Sequence, residues 1–104
     1  ATNVVEENTP WPLSFRLAQN YPNPFNSSTS IRFALPQDGP VKLIVYNLSG
    51  QKVVTLVDEI RHAESHMVHW NGRDGAGHAV ASGVYLYRLQ SGERVESRKL
   101  LLLK

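Results

Sequence analysis

Three histidines, His62, His66 and His69, lie close together in the chain, and imidazole is the commonest protein metal ligand. Residues 65–71 alternate polar and apolar like a strand, which sends His66 and His69 to opposite faces because their separation is odd. No cluster of carboxylates accompanies them, so ordinary surface or edge histidines are expected and no metal site. Asp74, within Asn71-Gly72-Arg73-Asp74-Gly75, has the outline of a calcium loop. Such a loop needs alternating oxygen ligands and a closing glutamate, whereas here Arg73 intrudes and no Glu stands near position 82. The expectation is a structural turn in which Asp74 accepts from backbone amides. Ser82-Gly83 lacks the strained elbow of a nucleophilic serine, and no glycine-rich loop leads from a strand into a helix to cradle phosphate. Asp38, Asp58 and Asp74 all fall in turn-like stretches. The chain has no cysteine, hence no thiolate nucleophile, disulfide or sulfur-ligated metal. No catalytic residue, cofactor or metal ligand is expected.

Binding chemistry is also thinly marked. A net charge of +2 is too small for a nucleic-acid binder, and no basic stripe interleaves with the aromatics. Arg94, Arg98, Lys99 and Lys104 against Glu93 and Glu96 leave a basic excess toward the C-terminus. Trp11, Trp70, Tyr46, Tyr85 and Tyr87 could stack on sugars, but alternating tyrosines and a strand tryptophan are better read as core and cross-strand packing. No run reaches the roughly 18 apolar residues of a membrane span, and no signal segment opens the chain, which reads as a mature domain or module.

The elements that position these residues are strands. The 104 residues make about one domain, with residues 1–13 a proline-containing linker from an upstream domain and residues 14–104 the folded unit. Residues 14–18 suit a short first strand with Phe15 and Leu17 on one face. Pro22 and Pro24 then bar helix and central strand alike, and Tyr21 and Phe25 are expected to plug one end of the core. From Thr29 the period is two, with Ile31, Phe33 and Leu35 inward. Residues 36–40 read as a turn cluster. A central strand follows over 41–48, then a hairpin at Ser49-Gly50, a strand over 51–57, and a loop over 58–63. His66, Val68 and Trp70 share one face of the next strand, and three glycines between 71 and 77 give the strongest turn. Tyr85, Tyr87 and Leu89 share a face of the following strand. Ser91-Gly92 turns the chain into a last strand that ends Leu100-Leu101-Leu102-Leu103-Lys104. Strands at roughly ten-residue spacing, without a helical period, predict an all-β, immunoglobulin-like antiparallel β-sandwich of about seven strands.

Five segments carry a resemblance, in order, over about residues 14–104. They are Asn20-Tyr21-Pro22-Asn23-Pro24-Phe25-Asn26 running into Ser28-Thr29-Ser30-Ile31-Arg32-Phe33; Val45-Tyr46-Asn47-Leu48-Ser49-Gly50-Gln51-Lys52-Val53; Val68-His69-Trp70-Asn71-Gly72-Arg73-Asp74; Ala81-Ser82-Gly83-Val84-Tyr85-Leu86-Tyr87-Arg88-Leu89; and Arg98-Lys99-Leu100-Leu101-Leu102-Leu103-Lys104. Together they resemble the type A C-terminal sorting domains of the type IX (Por) secretion system, whose opening signature, central hairpin, Trp-Asn/Asp-Gly turn, G-x-Y strand and basic-apolar ending they match. The same pattern is similar to the immunoglobulin-like insert of flagellar hook-capping proteins. Ser27 stands where the family usually has Pro, and Glu64-Ser65 replaces a usual Gly.

The resemblance implies a non-catalytic secretion signal and cell-surface attachment module on a larger exported bacterial protein, carried through the periplasm and outer membrane. The implied partners are an outer-membrane translocon, a sortase-like peptidase and an upstream cargo. Residue by residue, Tyr21, Pro22, Asn23, Pro24, Phe25 and Asn26 fall on the opening motif, and Gly83 and Tyr85 on G-x-Y. Lys99, Leu100, Leu101, Leu102, Leu103 and Lys104 fall on the terminal signal. Alternation buries only half of that leucine run, so either both faces are covered or one is offered to a partner. An exposed terminal strand also makes edge-strand self-association an expectation. The alternatives are a carbohydrate-binding or cell-adhesion module of a glycoside hydrolase, or a hook-cap-like assembly domain.

Overall fold

A computed structural model describes residues 14–104; the linker and Trp11 lie outside them. Seven strands follow one another: β1 (Arg16–Leu17), β2 (Thr29–Ala34), β3 (Gly39–Tyr46), β4 (Lys52–Arg61), β5 (Ser65–Trp70), β6 (Gly83–Ser91) and β7 (Arg94–Leu102). They form a three-stranded sheet, β1-β2-β5, and a four-stranded sheet, β4-β3-β6-β7, each antiparallel throughout. The two sheets face each other as the all-β sandwich that the strand spacing predicts.

The period-two pattern explains the core. Ile31 and Phe33 of β2 and Trp70 of β5 meet Val41, Leu43 and Val45 of β3 and Tyr85, Tyr87 and Leu89 of β6, all buried. Each buried side chain of this size contributes about 1.5–3 kcal/mol of transfer free energy. Tight turns close the β3–β4 and β6–β7 hairpins: Asn47 Oδ1 accepts from the amides of Ser49 and Gln51, on either side of Gly50 at φ 84°, and Gly92 at φ 64° joins β6 to β7.

Two expectations fail together. Residues 58–61 are strand, not loop: β4 continues as Asp58, Glu59, Ile60 and Arg61, paired with Lys42, Val41, Pro40 and Gly39. Gly39 and Pro40, expected in a turn, therefore open β3. β4 is an edge strand, so these four residues pair on one side only and need no apolar alternation; Ile60 is 74% exposed. Pro40 is tolerated because the register with β6 runs out at Lys42, leaving it a single ladder neighbour.

Candidate recognition site

The terminal segment is built into the second edge of the four-stranded sheet. In β7, Leu100 stands opposite Tyr85 and Leu102 opposite Gly83, and both leucines are buried. Lys99 and Leu101, on the alternate parity, sit opposite Leu86 and Val84 on the outer face. Leu103 is half-exposed and Lys104 exposed; the Lys104 amide donates to Ser82 Oγ at 3.0 Å. The leucine run thus has an inner half, Leu100 and Leu102, and an outer half in which Leu101 is half-buried and Leu103 half-exposed.

The free edge of β7 is not open. The Phe25 amide donates to the Leu101 carbonyl (3.0 Å) and the Leu103 amide donates to the Phe25 carbonyl (2.8 Å), a parallel bridge between Phe25 and Leu102. Asn23 Oδ1 accepts from the Leu101 amide at 2.9 Å, and Gln19 Nε2 donates to the Lys99 carbonyl at 2.7 Å. Farther up, Arg98 Nε donates to the Leu17 carbonyl and the Leu17 amide donates to Glu96 Oε1, stitching β1 to β7. Arg98 and Glu96 lie on the inward parity of β7, where these bonds satisfy them at the seam between the sheets. Residues 17–25 therefore clasp the edge that the sequence reading expected to lie open.

The clasp has its own support. Both prolines follow cis peptide bonds. Asn20 is buried; its side-chain amide donates to Thr29 Oγ1 (3.0 Å) and to the Pro22 carbonyl (3.2 Å), and the Thr29 hydroxyl also donates to Pro22 (2.8 Å). The Tyr87 hydroxyl accepts from the Asn20 amide at 2.8 Å and donates to the Ala18 carbonyl at 2.7 Å. Burial pushes its ionisation up to about 12, with the Asn20 amide and Arg98 opposing. Tyr21, expected in the core, is 80% exposed. Its backbone pairs with Ser30 in both directions, which fixes its side chain on the outside and leaves Phe25 as the plug.

The motif residues meet at one end of the sandwich. Phe25 packs on Trp70 at a centroid distance of 5.6 Å, and Trp70 takes an edge-on contact with Tyr85, also at 5.6 Å. Trp70 Nε1 donates to the Arg73 carbonyl and the Tyr85 hydroxyl to the Ala81 carbonyl, so both polar tips are satisfied. Gly72 is buried at φ 72°, a backbone conformation that favours glycine, and a Cβ there would make ordinary contact with Leu102 at 3.6 Å and Phe25 at 3.8 Å. The contacts of Gln19, the buried Asn20–Thr29 pair and Ser82 with the site are visible only in three dimensions, although Asn20, Thr29, Gly72 and Ser82 all lie in the segments that carry the resemblance.

The other chemical candidates disperse. His66 stacks on Phe33, His69 Nδ1 lies 2.9 Å from Ser30 Oγ, and His62 reaches Asp38 across 3.5 Å at the surface. Among the described residues no three His, Cys, Asp or Glu side chains gather as a metal site. Asp74 Oδ1 accepts from the amides of Ala76 and His78, which lowers its pKa, His78 contributing most. Trp70, Tyr85 and Tyr87 are buried and present no stacking platform.

A family model described as a secretion system C-terminal sorting domain matches residues 19–103. The chain is similar in structure to dimeric latent PorU from Porphyromonas gingivalis, with a TM-score of 0.68 and 19% identity, over 86% of this chain and 9% of PorU. It is also similar to PorZ of the same bacterium, described as an essential surface component of its type-IX secretion system, with a TM-score of 0.56 and 18% identity, over 88% of this chain and 12% of PorZ. At these identities the likeness is one of fold, and the chain spans only a small part of either protein. No curated protein matches the chain.

Proposed function

The chain belongs to the secretion system C-terminal sorting domains, and from that premise we propose that its sandwich is a platform whose outward terminal side chains the type IX machinery reads. The family's role is that of a secretion signal for export to the cell surface or beyond. In the finer reading, the recognised residues are Lys99, Leu101, Leu103 and Lys104, while Leu100 and Leu102 anchor the strand. The observation that carries this lies in the last six residues: Leu100 and Leu102 are buried, whereas Lys99, Leu103 and Lys104 are exposed and Leu101 is half-buried on the outer face. Because the clasp already occupies the backbone edge near Leu101, strand addition there has no free ladder to join. Recognition therefore falls to side chains.

The module is non-catalytic in this reading. Its partners are an outer-membrane translocon and a sortase-like peptidase that acts toward the linker, residues 1–13, releasing an upstream cargo. Cargo, domain and route run through the periplasm and outer membrane. The buried aromatics speak against the carbohydrate-binding alternative. The experiment is a fluorescent reporter fused to residues 1–104 in a type IX-competent bacterium, compared with the same fusion lacking residues 99–104. Retention of the shortened reporter inside the cell supports the reading, and unimpaired export of it overturns the reading.

A further inference from the structure

The outer face of the four-stranded sheet carries rows of aligned side chains. One row runs Lys52, Tyr46, Leu86, Lys99 across β4, β3, β6 and β7. The next runs Thr55, Ile44, Arg88, Ser97, and a third runs Asp58, Lys42, Gln90, Val95. Val84 and Leu101 extend the apolar middle toward the C-terminus. With strands about 4.8 Å apart, the lysines that end the first row stand about 14 Å apart, bracketing Tyr46 and Leu86. Arg88 lies over the Tyr46 ring at 5.8 Å.

Charge on this face is one-sided. Lys42, Lys52, Arg88 and Lys99 are cationic, and Asp58 is the carboxylate aligned with them. Among the described residues none of the four cations is held in an ion pair. An apolar centre with Tyr and Arg at its heart and a charged rim is the make-up of a protein-docking surface. We infer that this face, continuous with the outward terminal residues, docks an acidic protein surface with an apolar centre. The inference rests on the sorting reading and deepens it: the partner of the terminal strand also engages β3, β4 and β6, outside the terminal motif. Lys52 and Arg88 steer and register that partner through complementary charge.

The test uses the reporter fused to residues 1–104, carrying Lys52→Glu and Arg88→Glu together, with Met67→Glu on the outer face of the other sheet as control. Reversed charge at the rim lysine and the central arginine lowers surface delivery about tenfold or more, while the control exports normally. The milder Lys52→Gln/Arg88→Gln pair, thermally as stable as the parent, gives a smaller loss, and Lys52→Arg/Arg88→Lys restores export. Normal export of both the Glu and Gln pairs overturns the inference; if the fusion lacking residues 99–104 stays inside, the sorting reading survives that outcome. Export of that shortened fusion as well sinks the sorting reading itself. The fusion is also mixed with vesicles of phosphatidylglycerol and phosphatidylethanolamine. Co-sedimentation lost on charge reversal would assign the face to an anionic membrane and overturn the protein-partner inference.

Discussion

Phe25 and Leu102, far apart in the chain, form a parallel bridge whose two hydrogen bonds, 3.0 and 2.8 Å, close the outer edge of the last strand. The bridge joins the Pro-rich turn to the terminal leucines, and both residues are buried. It holds the terminal side chains at fixed positions, which a flexible tail would have to order at an entropic cost on binding.

Phe25 and Tyr21 are neighbouring aromatics with opposite fates. Phe25→Ala removes a core plug and destabilises the domain by about 3–5 kcal/mol, whereas Tyr21→Ala, at a largely exposed site, changes stability by about 0.5 kcal/mol or less. Urea unfolding followed by tryptophan fluorescence distinguishes the two. Equal effects would contradict the assignment of Phe25 alone to the core.

Tyr87→Phe leaves the Asn20 amide and the Ala18 carbonyl without their shared hydroxyl, at a cost of about 1–3 kcal/mol. The folded-state pKa is raised from 10.0 to about 12 by burial. A raised pKa means that the folded chain holds its proton more tightly than the unfolded one, so this contribution is complete below pH 10 and fades as pH rises toward 12. Unfolding midpoints between these limits fall with pH in the parent protein and less steeply in Tyr87→Phe.

Asn23→Ala removes the side-chain acceptor of the Leu101 amide. Loss of one hydrogen bond, about 1 kcal/mol, speeds exchange of that amide roughly five-fold if exchange proceeds by local opening. Hydrogen exchange read at single residues checks it, with amides in the middle of β3 as the unaffected reference. Unchanged protection at Leu101 would show that the clasp does not depend on Asn23.

Much of the sandwich was legible because burial writes a period of two into β2, β3, β5 and β6. The end of β4 was not. Asp58 and Glu59 on an exposed edge carry no apolar signal, and their pairing with β3 is a matter of backbone register. The same limit hid the clasp: Asn23, Phe25 and Gln19 act on β7 mainly through main-chain partners nearly the whole domain away. The type of Tyr21 suggests burial, but its backbone pairing with Ser30 turns the side chain outward. The terminal leucines posed a choice between two covered faces and one offered face. The structure buries Leu100 and Leu102, half-buries Leu101 and leaves Leu103 half-exposed, so one face is covered and the other is not fully covered.

The most direct measurement separates the exposed message from the buried anchor. Leu101→Ser/Leu103→Ser, on the outward parity, is placed in the reporter fusion and its export is measured beside its thermal unfolding. The account predicts a domain that still folds cooperatively, losing only the modest stability of a half-buried and a half-exposed leucine, but whose reporter stays inside the cell. Normal delivery of that folded variant to the cell surface would contradict the claim that the outward terminal side chains are what the machinery reads.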